Sequence, residues 1–404
     1  MSNLFDDAIS HDSYDAKTID GQVQYLLKSN SVGKMRAIEK ISYVQSTSST
    51  SQVFLSANQM VTFLLPMGQS NEVHKLNRMV LELSYLNTDA VNAATLLPAC
   101  FALDRFEILA GTQLELVYSQ NMIEDRLFFS KNDEEIHANA LNENYQYSSS
   151  AGFATSSATL AASTAKLFFL ELPCFLTRAQ PFLPAINQQL TVNVYFKSSP
   201  CTAASASQTV SLTQARIYLS GYAFEESVKQ KLLQRYMTLP HYLFYNCPEY
   251  TTIPGESISN VSKTSTRLGV WAGRLLTNVA ISITDNGAAK DAQYSYYPLQ
   301  FIDEKNSGTS LYSDSLYIDM YKEMAKQTFW TSAAGIVPVY YLCHSTDVYR
   351  AVNNCQQLGS YLYNSNIVLE LQAVTNIGSK TVTVTGYSAC IFKIQNGIIV
   401  KSYA

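Results

Sequence analysis

Apolar and polar side chains alternate at every second position in much of this chain, which is the period of a half-buried β-strand. The clearest example is segment 190–196. Its apolar face is formed by Leu190, Val192, Val194 and Phe196. Its polar face is formed by Thr191, Asn193 and Tyr195. This pattern predicts a strand with one face in a core and the other face outside it.

Another strand is predicted at 168–172, and a connector with Pro173, Pro181 and Pro184 joins it to segment 190–196. Proline lacks a backbone N–H and fixes φ, so we expect the connector to stay outside regular structure. A similar order recurs near the C-terminus, where strands at 336–342 and 367–374 flank a connector that contains Arg350 and Gln357. We therefore interpret the chain as two copies of one β-domain.

Shorter alternating segments predict the remaining strands of each half. In the first half they lie at 53–55, 60–65, 79–85, 105–108, 114–118 and 212–224. In the second half they lie at 275–283, 294–302, 381–385, 389–394 and 398–403. Asn396-Gly397 is a strong signal for a two-residue hairpin turn, and Asp285-Asn286-Gly287 predicts another turn.

Three of these strands carry predictions about which side chains are buried. In 79–85 we expect a buried face formed by Met79, Leu81, Leu83 and Tyr85. The opposite, solvated face is formed by Val80, Glu82 and Ser84. In 114–118 we expect Leu114, Leu116 and Tyr118 to continue one face after a turn at Gly111. In 381–385 we expect Val382 and Val384 to point inward.

Helical periodicity is confined to short stretches. Segment 225–236 has an apolar stripe of Val228, Leu232 and Leu233 and predicts a linker helix between the halves. Segments 121–129 and 314–329 predict one helix in each half, and 22–28 and 34–41 predict two short helices near the N-terminus. Segment 147–165 is rich in Ser, Ala and Thr and predicts an exposed loop. The predicted organisation is an arm (1–42), a first β-domain (43–226), a linker helix (227–238) and a second β-domain (239–404).

Composition narrows the class of protein. The chain has 404 residues, of which 47% are hydrophobic and only 15% charged, with 27 Tyr and 2 Trp. That length allows two or three domains with sizeable cores. Low charge favours a protein that covers much of its surface with neighbours, although a secreted β-sandwich fits equally well. The net charge of −4 argues against a dedicated nucleic-acid-binding protein, which usually carries a basic stripe.

Targeting signals and cysteine usage point to synthesis inside the cell. No apolar run approaches the roughly 20 residues that a membrane-spanning helix needs, and the acidic, polar start does not resemble a signal peptide. The cysteines are Cys100, Cys174, Cys201, Cys247, Cys343, Cys355 and Cys390. Because no two are close in sequence, a metal site is not expected and most are interpreted as buried thiols. A disulfide across the fold stays open.

Short catalytic motifs are absent from the sequence, which contains no G-x-S-x-G, H-E-x-x-H, Walker A or Rossmann pattern. The local clusters that could be proposed as sites are Asp133, Glu134, Glu135 and His137; Asp314, Asp319 and Glu323; and Tyr294, Tyr296 and Tyr297. Simpler interpretations are a solvated loop, the wet face of a helix and an interface strand. Asn260-Val261-Ser262 matches a glycosylation sequon, which has meaning only in a secretory route. We predict no catalytic, cofactor-binding or metal site, no cofactor, and no enzyme activity.

Two segments together resemble one protein family. Segment 168–196 has the order strand, Pro173, connector with Arg178 and Pro181, Leu183-Pro184, alternating strand. Segment 103–118 contains, in this order, Asp104, Arg105, Glu107, Ile108, Gly111 and Gln113. Both are similar to the first jelly roll of the double jelly-roll major capsid proteins of tectiviruses, adenovirus, large nucleocytoplasmic DNA viruses and virophages. The resemblance covers most of residues 45–403 by layout and is sharp over these two segments.

The resemblance implies an all-β chain with two tandem eight-stranded jelly rolls, a few short helices in loops and an N-terminal arm. It implies a major capsid protein that forms a homotrimer of pseudo-hexagonal outline and tiles an icosahedral shell. The implied partners are further copies of the chain, minor capsid and vertex proteins, and an internal lipid membrane reached by the arm, with no specific nucleic-acid binding. The implied location is the virion, after synthesis in the host cytoplasm, with loops such as 147–165 facing outward.

Other interpretations stay open. The second half shows no clear copy of the proline-rich connector, so a minor or vertex capsid protein of the same viruses is a near variant. From another class, a β-sandwich carbohydrate-binding or adhesin protein, or a glycan-active enzyme with a β-sandwich core, fits the composition. The two-copy layout counts against this second class.

Overall fold

The computed structural model describes residues 37–45, 53–54, 59–96, 103–118, 122, 146–148, 152–154, 158–196, 201, 209–284, 299–311, 316–317, 340–344, 361–376 and 378–403. Most of these residues lie in β-strands, and the strand pairs are antiparallel. In this part of the chain, no helix combines the length and the apolar character needed to cross a membrane.

The described strands of the first half are named β1 to β13. In chain order they are β1 (Ala37–Gln45), β2 (Val53–Phe54), β3 (Gln59–Leu64), β4 (Lys75–Asn87), β5 (Ala94–Leu96), β6 (Leu103–Ala110), β7 (Thr112–Tyr118), β8 (Gln146–Ser148), β9 (Gly152–Ala154), β10 (Ala158–Leu160), β11 (Ala165–Glu171), β12 (Thr191–Phe196) and β13 (Val210–Phe224). A 3-10 turn at Gly68–Ser70 lies between β3 and β4.

Helices are few in the described chain. Between β11 and β12 lie α1 (Phe175–Arg178) and a 3-10 turn at Leu183–Ala185, so the proline-rich connector contains two short helical turns where we expected irregular structure. The longer helix α2 (Glu226–Thr238) joins the two halves. Its predicted stripe of Val228, Leu232 and Leu233 is buried, which confirms the linker helix.

The second half repeats the pattern of the first. Its strands are β14 (His241–Ile258), β15 (Thr264–Arg267), β16 (Leu275–Thr284), β17 (Leu299–Asn306), β18 (Thr309–Ser310), β19 (Leu316–Tyr317), β20 (Tyr340–Cys343), β21 (Tyr361–Leu362), β22 (Ile367–Ala373), β23 (Gly378–Gln395) and β24 (Ile398–Tyr403). A 3-10 turn at Gly269–Trp271 lies between β15 and β16. The hairpin of β23 and β24 turns at Asn396 and Gly397, both with positive φ, as the Asn-Gly signal predicts.

One topology is used twice. The main strands of the first half are β1, β3, β4, β6, β7, β11, β12 and β13, and those of the second half are β14, β15, β16, β17, β18, β20, β22 and β23. When each set is numbered 1 to 8 along the chain, both halves contain one sheet of order 1-8-3-6 and one of order 2-7-4-5. Two Greek keys that fold into two facing sheets form a jelly roll. The predicted all-β fold with two tandem jelly rolls is confirmed.

The central strand β12 shows how the alternating pattern builds the core. It pairs with β3 on one side and β6 on the other, and its Val192, Val194 and Phe196 are fully buried. Each side chain of this kind contributes about 1.5–3 kcal/mol when it leaves water. The buried apolar residues form one connected cluster that runs from the first sandwich into the second, so the two jelly rolls share a continuous apolar interior.

Strand β4 corrects the prediction of a solvated face at 79–85. Met79, Leu81 and Leu83 are buried as expected, but Glu82 and Ser84 on the opposite face are also buried. Two neighbours on β13 cover Glu82: the Tyr218 hydroxyl donates to its carboxylate over 2.8 Å, and Arg216 lies 3.9 Å away. Cross-strand polar partners therefore replace water on this face.

The helix predicted at 34–41 is wrong. Residues Ala37–Gln45 form β1, which pairs with β13 over its whole length. Residues 37–42, which the sequence pattern assigns to the arm, therefore lie in the first sheet. A ladder along the open edge of β13 outweighs a weak local helical spacing, because tertiary pairing overrides propensity.

Two further local predictions are corrected. The segment predicted as an exposed loop, 147–165, contains β9, β10, and parts of β8 and β11, and β10 pairs with β5 and buries Leu160. The helix predicted at 314–329 is wrong at its start, where β19 pairs with β17. Other predictions lie outside the described residues: the helix at 22–28, the helix at 121–129 except Met122, the turn at 285–287, and the connector with Arg350 and Gln357.

Candidate functional site: the seam between the two sandwiches

The two jelly rolls meet along a surface that we call the seam. The first half contributes β7, α1 and the connector up to Gln188, and the second half contributes β14, β24 and the C-terminal part of β23. The contacts across the seam set the position of one sandwich relative to the other.

Two stacked aromatic pairs cross the seam. Phe175 of α1 and Phe392 of β23 stack with ring centroids 4.4 Å apart and planes 5° from parallel, and both are fully buried. Tyr118 of β7 and Tyr250 of β14 stack at 4.6 Å with an angle of 26°. Such pairs contribute about 0.5–1.5 kcal/mol beyond the burial of their area. The stacks join the halves with directional contacts.

The last hairpin docks onto the proline-rich connector. The Gly397 carbonyl accepts hydrogen bonds from the N–H groups of Asn187 (2.8 Å) and Gln188 (3.2 Å). In return, the Ile399 N–H donates to Gln188 Oε1 over 2.7 Å. Gly397 has φ +81°, and a Cβ at this position would lie 2.7 Å from Asn187 Nδ2. The sequence predicts the connector and the turn separately, and the structure brings them together.

Glu115 occupies the centre of the seam although it lies in a strand of largely apolar residues. A register shift between Ile108 and Leu109 places Glu115 opposite Ile108 and Val117 opposite Phe106, on the core side of the sheet. The prediction that Leu116 and Tyr118 continue the buried face is therefore wrong, since both are only half-buried. A shift of one residue moves every later side chain to the other face.

The Glu115 carboxyl is 1% exposed and bridges several elements. Its Oε2 accepts a hydrogen bond from the Phe175 N–H at the start of α1, over 2.8 Å. The Tyr245 hydroxyl of β14 faces the carboxyl without satisfying Oε1, which has no hydrogen-bond partner in the described chain. Burial raises the pKa of Glu115 to about 7, despite the opposing effects of Phe175, Tyr245, Lys401 and Arg178.

The seam opens to solvent in a polar cleft of about 470 Å³. Its walls include Thr112 and Tyr118 from the first half and Glu249, Tyr250 and Lys401 from the second half. Arg274 contacts two residues of the second-half wall: it lies 3.2 Å above the Tyr403 ring and 4.0 Å from Glu249. These mutual contacts hold the charged groups of that wall in place.

The side-chain clusters proposed from sequence all lie outside the described residues. They are Asp133, Glu134, Glu135 and His137; Asp314, Asp319 and Glu323; and Tyr294, Tyr296 and Tyr297. Asn260, Val261 and Ser262 lie on an exposed turn after β14. Of the cysteines, Cys174, Cys201, Cys247 and Cys390 are buried free thiols, as predicted for most of them. No group of three potential metal ligands occurs among the described residues.

Pattern analysis of the sequence missed the residues that form the seam. In the sequence, nothing distinguishes Phe175 and Phe392 from other core residues, and Asn187 is not part of a recognisable motif. The one available signal is Glu115, a carboxylate between Leu114 and Leu116 in a strand. A charge in such a position indicates either an exposed face or a special buried partner, and only the strand register distinguishes the two.

Comparison with known proteins gives matches in structure and none in sequence. No family model and no curated protein matches this chain. A chain of the PBCV-1 virus capsid is similar with a TM-score of 0.65 and 13% identity, over 91% of this chain and 98% of that one. The Faustovirus major capsid protein is similar with a TM-score of 0.57 and 10% identity, over 98% of both chains. The mavirus major capsid protein gives 0.50 and 11%, over 90% of both.

These likenesses extend over nearly the full length of each protein, so the correspondence includes both sandwiches and the relation between them. At identities of 10–13% they establish the fold. The resemblance noted from segments 103–118 and 168–196 is confirmed at that level.

Proposed function

We propose that this chain is a viral major capsid protein that assembles as a homotrimer of pseudo-hexagonal outline and tiles an icosahedral shell. The observation that carries the proposal is the repeated 1-8-3-6 and 2-7-4-5 topology over nearly the whole chain. The Faustovirus major capsid protein corresponds to this chain over 98% of both lengths, which supports a capsid role here.

The geometry supports assembly in threes. Three copies of a chain with two similar sandwiches have six near-equivalent corners, and a hexagonal outline covers a flat facet with one gene product. That outline requires each pair of sandwiches to keep a fixed relation. The Phe175–Phe392 stack and the hydrogen bonds between Gly397 and the connector meet this requirement.

The surface and the absence of short motifs fit a structural protein. Interfaces between copies would form by burial of apolar and tyrosine-rich surface. Met60 and Leu64 of the edge strand β3 are more than two-fifths exposed and would be covered in such an assembly. Accordingly, we propose that the chain is not an enzyme and binds no specific nucleic acid.

The remaining partners follow from the same proposal. The chain would contact minor capsid and vertex proteins, and the arm that precedes β1 would face inward, toward an internal lipid membrane. The proposed location is the virion, after synthesis in the host cytoplasm. The domain bounds proposed are 37–226 and 239–404, with 227–238 between them. The first domain starts earlier than the predicted residue 43 because β1 begins at Ala37.

The solution mass of the purified chain, with negative-stain images of the same peak, tests the proposal. We expect a mass of about 135 kDa, three times 44.9 kDa, and compact hexagonal particles. A monomer that shows no such particles and does not assemble at high concentration would contradict it. Binding to a glycan panel would then favour the carbohydrate-binding class, and turnover on that panel would favour an enzyme.

A further inference from the structure

The Glu115 carboxyl is a buried ionisable group at a junction between two rigid bodies. It lies on β7 of the first sandwich, and its Oε2 is bound by Phe175 of the connector. Groups from each neighbouring element face it: Cys174 and Arg178 of the α1 region, Tyr245 and Cys247 of β14, and Lys401 of β24. The charge of this carboxyl therefore acts on groups of both sandwiches.

We infer that Glu115 makes the seam respond to pH: the two sandwiches are held most tightly when the carboxyl is protonated, and they are loosened when it ionises. This inference concerns the chain itself and stands whether or not the chain forms a shell.

The contacts around Glu115 suit a neutral carboxyl better than a carboxylate. Oε2 accepts the Phe175 N–H and the Tyr245 hydroxyl faces the carboxyl, but Oε1 has no hydrogen-bond partner in the described chain. A buried carboxylate needs several donors to replace its hydration, and an unpaired oxygen leaves that cost uncompensated. The Cys174 and Cys247 thiols and the Tyr245 phenol are neutral at pH 7, because burial raises the pKa of each.

The positive charges nearby reduce this cost without removing it. Lys401 and Arg178 both favour ionisation, yet desolvation outweighs them and the pKa of Glu115 rises from 4.5 to about 7. Because the folded state holds this proton more tightly than the unfolded state, its contribution to stability is complete below pH 4.5. That contribution is lost as the pH rises through 7. In total, ionisation is expected to lower the folding equilibrium constant by roughly 300-fold.

The test compares the full-length wild-type chain with the Glu115→Gln variant. Glutamine keeps the size of the side chain and an acceptor for the Phe175 N–H but cannot ionise. Urea unfolding at pH 5 and pH 8.5 gives the folding constant of each protein. We expect the constant of the wild type to fall by roughly 70-fold relative to the variant between these two pH values. An unchanged ratio would overturn the inference.

A matched control is Glu82→Gln, which removes another buried carboxyl that lies away from the seam and is partnered by Tyr218 and Arg216. This variant should keep the pH dependence of the wild type between pH 6 and 8.5. If it instead abolishes that dependence, Glu115 is not the group responsible.

Local exchange shows whether the seam itself is affected. After correction for the intrinsic rate, amide protection at Phe175 and Ile399 should fall more between pH 6 and 8 in the wild type than in Glu115→Gln. A fall at Leu83 in the first core without a fall at Phe175 or Ile399 would contradict an effect at the seam. Should the glutamine variant fail to fold, the infrared band of a protonated carboxyl in the wild type must be present at pH 6 and lost by pH 8; its absence at pH 6 would overturn the inference.

Discussion

The carbonyl of Gly397, in the last hairpin of the chain, accepts a 2.8 Å hydrogen bond from the N–H of Asn187, in the connector of the first sandwich. The contact joins the two halves at a position where only glycine fits, since φ is +81° and a Cβ would overlap the Asn187 side chain. We expect Gly397→Ala to destabilise the chain by about 2–4 kcal/mol, from left-handed strain and from overlap.

Urea unfolding measures this loss, and Gly273→Ala is the matched control. Gly273 has φ +83°, and a Cβ added there would meet no atom within 4 Å, so only the strain of about 1–2 kcal/mol remains. If the two substitutions cost the same, the contact with Asn187 does not matter for stability.

The stack of Phe175 on Phe392 should show as an energetic coupling between the halves. In a double-mutant cycle with Phe175→Leu and Phe392→Leu, we expect a coupling of about 0.5–1.5 kcal/mol, because each single change already breaks the stack. Thermal or urea unfolding of the four proteins provides the values. Phe175→Leu combined with Phe301→Leu, which lies in the core of the second sandwich, should be additive; coupling there as large as in the stack would mean that the effect is not local.

His74 should make the first sandwich sensitive to acid. Its Nδ1 accepts the Phe224 N–H over 2.8 Å just before the linker helix. Burial, followed by the charge of Lys229, lowers its pKa from 6.5 to about 4. The stability that depends on neutral His74 is therefore present above pH 6.5 and is lost as the pH falls toward 4, by up to roughly 2–3 kcal/mol.

The comparison with His74→Asn isolates this effect, because the asparagine oxygen can replace Nδ1 as acceptor without titrating. We expect the variant to lose less stability than the wild type when unfolding is measured at pH 6.5 and pH 4.5. His344, whose pKa burial also lowers to about 4, is present in both proteins and cancels from the difference. Parallel pH curves would show that the pKa of His74 is the same in the folded and unfolded chains.

A buried polar network stabilises the second sandwich. The Tyr363 hydroxyl donates to Glu304, and His344 Nε2 lies 3.1 Å from the same hydroxyl and 3.3 Å from Glu304. Tyr363→Phe should cost about 1–3 kcal/mol, because it removes a donor to a fully buried carboxyl. Thermal unfolding of each variant measures this cost. Tyr218→Phe removes a donor to Glu82 in a part-buried hydrogen bond and should cost less. The reverse order would mean that water reaches Glu304.

Much of the fold could be predicted from local pattern. Segment 190–196 predicts β12 because apolar and polar side chains alternate along it. Asn396-Gly397 predicts the final hairpin because few other residue pairs accept two positive φ angles. The linker helix follows from the spacing of Val228, Leu232 and Leu233. Prediction failed where pairing overrides local preference, as in β1, which reads as a helix but completes the edge of a sheet.

The seam illustrates the limit of local information. Periodicity by itself determined that this chain is all-β, that it consists of two similar halves, and roughly where the strands lie. These three properties can be predicted because the alternation of side chains within a strand depends only on residues that are close in sequence. Only the tertiary structure decided that Glu115 turns inward, that Phe175 meets Phe392, and that Gly397 meets Asn187. These relations depend on strand register and on the packing of segments far apart in the chain, and neither leaves a trace in the order of nearby residues.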